Sequence, residues 1–259
     1  FDYSYLMAFP NRLFGIMNNQ NLLAVPLFIF MGLVLEKSKI AENLINNMNI
    51  LFRGTSSGLG ISVVVVGALM AASTGIVGAS VVTLGLLTYP VLIKNGYSSS
   101  VASGTICASG TLGQIIPPSL VLILLADVLS SSYQQAQLNI GIFSPETITI
   151  ADLFFGALIP GLMLPLFYIV YLKTLNIKNP NIKSHKMMDY YSIVFPLTLI
   201  IIVLGSIILG IATPSEAAGL GALGAIILAY YQNNLTKKTL DKCVYDSIKL
   251  TSMVFMILI

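Results

Sequence analysis

The chain has 259 residues, of which 56% are hydrophobic and 9% charged, with a formal net charge of +3. Soluble domains carry roughly a quarter charged residues, so this composition excludes a soluble globular fold, which would need far more polar surface. The basic residues lie in short stretches between apolar spans, where they set membrane topology rather than bind nucleic acid.

In chain order, Asp2 to Arg12 reads as an interfacial segment, with no initiator Met and no signal-peptide pattern. Leu22 to Leu35 is the first apolar segment, 14 residues long and preceded by polar Asn18, Asn19, Gln20 and Asn21. Glu36 to Arg53 is amphipathic with mixed charge and suits the membrane interface. Uncharged runs then cover 54–93, 95–126, 153–172, 190–215 and 217–236, and a spanning helix needs about 20 apolar residues. These runs predict an all-α polytopic membrane protein. Lys173, Lys178, Lys183 and Lys186 form one basic loop, and Lys237, Lys238, Lys242 and Lys249 another. The chain ends inside an apolar run, Ser252 to Ile259, and is expected to be a fragment.

Charge placement sets the expected topology. The two basic loops should be cytoplasmic, and 127–152, which carries Asp127, Glu146 and Asp152 but no Lys or Arg, should lie outside. Counting backward places Lys94 inside. If the weakly marked 36–53 stretch is also inside, 54–93 must leave and return to one face. Its arms, Leu59–Ala72 and Ser80–Ile93, hold 14 residues each. At about 1.5 Å per residue neither crosses a core about 30 Å thick. A re-entrant hairpin turning at Ser73–Ser80 is therefore expected.

The second break lies inside one crossing. Helix from about Ser99 to Ser109, unwound chain over Gly110–Ser119 and helix again to Val128 would make a discontinuous span. Pro117 and Pro118 remove two backbone donors and push Ile116 away from the α region. Non-helical backbone at membrane depth survives only inside protein or beside a wet cavity, and broken helices there build transporter sites. Carbonyls and hydroxyls of Ser73, Thr74, Ser80, Ser109, Thr111 and Ser119 suit a hard cation such as sodium. The helix N-termini after each break would favour an anionic substrate. Neither break holds Asp or Glu, which argues against a carboxylate proton relay. Gly, Ser and Thr also line close helix contacts in membranes; the pairing of two breaks, one closed by Pro-Pro, favours a site.

Other patterns carry structural readings. Gly219-Leu-Gly221-Ala-Leu-Gly224 matches a dinucleotide fingerprint as a string, but follows no strand and suits helix packing. Thr213-Pro214-Ser215-Glu216 reads as a capping box. Cys107 and Cys243 are expected to be unpaired, with Cys107 a packing residue, and lone His185 to be solvated in a basic loop. No catalytic constellation is present, so an enzyme is not expected, and no cofactor either.

Several segments together resemble the large membrane subunit, DctM type, of tripartite ATP-independent periplasmic (TRAP) transporters. They are Leu23 to Gly32, Ala72 to Ser80, Gly104 to Ser119, Leu153-Phe154 with Ile159-Pro160-Gly161, and Ala212 to Ala218, in family order. The resemblance implies a multi-pass protein of the bacterial inner membrane that imports an organic acid, such as a dicarboxylate or sialic acid, by sodium-coupled elevator symport. It implies a periplasmic substrate-binding protein and a small four-helix membrane subunit as partners. It implies two inverted repeats, of which the first is present. Residues 1–57 would be N-terminal scaffold, and 58–128 the moving part, with hairpin 59–93 and broken helix 99–128. Residues 129–249 would be connecting and scaffold helices, and 250–259 the start of the second repeat. By the same resemblance sodium, the coupling ion, would sit at Ser73, Thr74, Ser80, Gly110, Gly113, Ile116 and Pro118, with Gly78, Thr111 and Ser119 completing the ion and substrate site. A binding-protein-independent sodium–anion symporter and a non-transporting membrane scaffold are the alternatives.

Overall fold

A helix without a polar face must be enclosed by other helices or by lipid, and most of this chain is of that kind. The computed structural model describes residues 3–38, 40–52, 55, 57–74, 77–177, 191–232 and 234–258. Among these the helices are α1 Tyr3–Asn18, α2 Ala24–Lys37, α3 Ile40–Leu51, α4 Gly58–Thr74, α5 Val77–Lys94, α6 Ser99–Thr111, α7 Leu120–Asn139, α8 Ile150–Thr174, α9 Tyr191–Ile208, α10 Pro214–Tyr231 and α11 Lys237–Leu258. Two 3-10 turns, Gln20–Leu23 and Leu112–Gln114, lead into α2 and out of α6. The described residues contain no strand, as the all-α reading requires.

Helix α2 is the centre. It buries residues all round, among them Val25, Phe28, Ile29, Met31 and Val34, and α4, α10 and α11 pack against it. Helix α10 comes close because its facing residues are small: Ala217, Ala218, Ala222, Ala225 and Ala229 are buried. A Cβ on Gly221 would lie 2.6 Å from Met31 Sδ, and Gly224 faces Leu199 of α9. The glycine string is thus a packing surface, as expected. Its helix opens with the expected box: Thr213 N–H donates to the Glu216 carboxylate at 2.8 Å, and Glu216 N–H to Thr213 Oγ1 at 3.4 Å. Thr149 and Asp152 cap α8 in the same way.

Helices α4 and α5 form a hairpin, but its arms are longer than expected, 17 and 18 residues instead of 14. Ala71, Ala72, Ser73 and Thr74 are all compatible with helix, so α4 continues into the expected Ser73–Ser80 turn. Each arm then measures about 26 Å, close to the hydrocarbon thickness. Gly75 and Ile76, between the arms, lie outside the described residues, as do Lys39, Arg53, Lys178, Lys183, His185 and Lys186.

Three further expectations are corrected. Helix α6 stays regular to Thr111, so the non-helical stretch is shorter than Gly110–Ser119. Helix α7 runs past Val128 to Asn139, because no Pro or Gly interrupts it before Gly141, which takes φ +86°. The basic stretch 237–249 is the first half of the 22-residue α11 rather than a loop. Of the two cysteines, both unpaired, Cys107 is exposed and Cys243 is the buried one.

Helix α8 has 25 residues, about 38 Å at 1.5 Å per residue. With Gln20–Lys37 it is one of two described segments long and apolar enough to cross a membrane. Its Phe155, Ile159, Leu162 and Leu166 are exposed, a large apolar face of the kind lipid or a partner covers.

Candidate ion and substrate site

The site starts from a covalent fact: Pro117 and Pro118 bring no N–H, so the carbonyls of the preceding turn lose two donors. The chain replaces one of them with a side chain. Ser119 Oγ donates to Gln114 O at 2.8 Å. The same oxygen accepts the Leu122 N–H at 3.4 Å, capping α7 from an extended backbone of φ −108° and ψ 133°. Leu112 O takes the N–H groups of both Ile115 and Ile116, at 3.0 and 2.9 Å. Next come the carbonyls of Ile115, Ile116, Pro117 and Pro118, which accept no hydrogen bond from the described residues. Ile116, Pro117 and Pro118 are buried. Buried carbonyls normally find a partner, so this run is the feature of the fold most in need of one.

Its surroundings are close-packed. A Cβ on Gly161 of α8 would sit 3.3 Å from Ile115 O and 3.4 Å from Ile116 Cα. The Ile116 side chain packs with Leu112 and with Ile200 of α9. Both hairpin helices touch the Leu112–Gln114 turn. Midway along α4, a Cβ on Gly67 would lie 2.5 Å from Ser109 Cβ. At the start of α5, the Val81 backbone approaches Gly110 so closely that a Cβ there would lie 3.0 Å from Val81 Cα. The beginning of α5 and the end of α6 are therefore in contact, and Ser80, next to Val81, is 1% exposed.

The sequence-derived candidates divide accordingly. Gly113, Ile116, Pro118 and Ser119 belong to the unwound stretch and are buried; Gly110 lies at the α5–α6 contact, and Ser80 is buried one residue before Val81. Ser109 Oγ donates to Thr105 O at 2.6 Å within α6. Thr111 is exposed, and its hydroxyl donates to Ala108 O at 2.9 Å. Gly78 is exposed too, with nothing within 4 Å of an added Cβ. Ser73 and Thr74 end α4, and their side chains lie outside the described residues.

Between Arg53 and Asp127 the only charge is Lys94, so oxygen dipoles and helix ends dominate the electrostatics. Helix α7 begins at Leu120, directly after the four carbonyls, and its N-terminal N–H groups carry partial positive charge. Asp127, two turns on, accepts from Asn19 Nδ2 at 2.6 Å. Among the described residues no three His, Cys, Asp or Glu side chains gather to hold a metal. Neutral carbonyls in a row suit a hard monovalent cation, with the α7 terminus beside them for an anionic group.

A family model described as "Tripartite ATP-independent periplasmic transporter, DctM component" matches residues 3–259. The chain belongs to this family. It is similar to the C4-dicarboxylate TRAP transporter large permease protein DctM of Rhodobacter capsulatus, with 27% identity over 95% of this chain and 57% of the relative. The namesake protein of Vibrio cholerae is 31% identical over 81% of the chain and 44% of its own length. The ectoine TRAP transporter large permease protein TeaC of Halomonas elongata is 28% identical over 81% and 47%. The chain thus spans about half the length of these DctM relatives. They are transport proteins by name, in agreement with the expectation of a non-enzyme.

Two contacts of this DctM chain had no residue-level signal in the sequence. Gly67 sits in a uniformly apolar helix whose sequence gives no facing direction. Gly161 entered only as part of the Ile159-Pro160-Gly161 segment of the family resemblance, with no hint that it meets Ile115.

Proposed function

We propose that the chain forms the first of two inverted repeats in the large permease subunit of a sodium-coupled importer. The reading rests on one observation above the others: the carbonyls at 115–118, which accept no hydrogen bond from the described residues and follow directly on the turn that both hairpin helices touch. Sodium, as co-transported ion, would take oxygens from this run, Ile116 and Pro118 among them, with Ser80 and the end of α4 contributing from the hairpin. A substrate carboxylate would meet the N-terminal dipole of α7. Ser119 would keep the unwound stretch in shape by holding Gln114 O. The substrate class is organic acids, delivered by a periplasmic binding protein and carried by movement of 58–128 against the remaining helices. A small membrane subunit would brace those helices, and the bacterial inner membrane would hold the assembly.

The full-length protein, reconstituted with its small subunit and binding protein, gives the test. Uptake of a labelled organic acid into vesicles should require an inward sodium gradient and fall at least tenfold when potassium replaces sodium. Equal uptake in potassium would overturn the reading.

A further inference from the structure

Helix α3 lies against the base of the hairpin, and between them is a cleft of about 140 Å³ that no part of the proposed transport site uses. Its floor is apolar: Leu59 and Val63 of α4 and Leu92 of α5 are 5%, 2% and 1% exposed. Its polar wall comes from α3, where Glu42, Asn46 and Asn49 follow one another at helical spacing and share a face. Glu42 and Asn46 stand at the exposed mouth. Asn49 Oδ1 is buried and has no hydrogen-bond partner among the described residues. Thr88, on the opposite side, spends its hydroxyl proton on Leu84 O at 2.6 Å and offers only lone pairs. Among the described residues no Lys or Arg lines the cleft.

This lining selects a chemistry. A carboxylate, the Asn49 amide oxygen and a hydroxyl lone pair ask for a cation that is rich in N–H donors. A ring of carbonyl and carboxylate oxygens matches the three donors of an ammonium group. The apolar floor takes an aliphatic chain, and the volume limits that chain to a few carbons. An anion would meet the Glu42 carboxylate with no compensating charge among the described residues. A quaternary ammonium has no N–H to give Asn49. We propose that the cleft between α3 and the α4–α5 hairpin binds a primary ammonium group carried on a short aliphatic chain, either a free amine or the ethanolamine end of a lipid. The site does not depend on the sodium reading and would stand if that reading failed.

The full-length permease purified in detergent allows the test, with n-butylammonium as probe. Butylammonium should raise the thermal unfolding midpoint saturably, whereas tetramethylammonium and butanoate should not. Glu42→Gln, at the exposed mouth, should weaken the half-saturating concentration at least fivefold without changing the unliganded midpoint. Asn49→Leu should abolish the response. Retention of phosphatidylethanolamine over phosphatidylcholine in native mass spectrometry, competed away by butylammonium, would assign the lipid source. Butylammonium binding without lipid retention would assign a free amine. No saturable response would mean that water alone fills the cleft, and a response unchanged in Glu42→Gln would place the amine elsewhere; either would overturn the proposal.

Discussion

Ser119 holds the unwound stretch at two points, donating to Gln114 O and accepting from Leu122 N–H. Ser119→Ala should lose both, at a cost of about 1 kcal/mol for the cap alone. An alanine variant whose unfolding midpoint in detergent equals that of wild type would contradict this. Gly110 is a contact residue in the same sense. Its neighbour is the Val81 backbone, 3.0 Å from where a Cβ would stand, and backbone cannot rotate away as a flexible side chain can. Gly110→Leu should therefore push α5 off α6 and lose about 2 kcal/mol. Gly104→Ala, on the same helix with nothing within 4 Å, should be neutral or slightly stabilising by helix propensity. Equal losses at the two positions, read by the same unfolding assay, would contradict the packing account.

Among elements, α2 is tied to its surroundings by polar contacts at both ends. At its start Asn19 donates to Asp127 of α7, and at its end Thr83 of α5 donates to Glu36 at 2.7 Å. Lys37 pairs with Asp246 of α11, and the bonded ammonium holds the Asp246 carboxyl below its ordinary value. A depressed carboxyl contributes stability above its unfolded pKa, near 3.9, and loses it as pH falls through the folded value. Unfolding midpoints should thus lose a contribution below about pH 4, and Asp246→Asn should remove that part of the acid sensitivity. The Glu36–Thr83 contact crosses from scaffold to the part proposed to move. Glu36→Cys with Thr83→Cys, in a Cys107→Ala, Cys243→Ala background, joined by a short thiol cross-linker, should stop transport. Reducing the linker should restore it. Undiminished uptake by the cross-linked protein would argue against that movement.

For the whole molecule, composition alone settled the membrane class, because no soluble surface can be made from so few charged residues. The Pro117–Pro118 break and the Thr213 cap were equally legible. A missing N–H and a side-chain oxygen one turn ahead of its partner act within a few residues, whatever surrounds them. Even there the boundaries moved: α4 ran on to Thr74 and α7 to Asn139, since Ala, Ser and Gln permit helix wherever packing extends it. The facing directions were not legible. Helices α4, α6 and α10 are apolar or small on every side, so their sequences carry no signal of rotation. Only the tertiary structure could place Gly67 against Ser109, Gly110 against Val81 and Gly161 over Ile115, or show Cys243 rather than Cys107 buried. The sequence by itself determined where the backbone must break. The packing of neighbouring helices decided what each break faces, because contact between uniformly apolar surfaces is set by shape, and shape exists only once the helices are together.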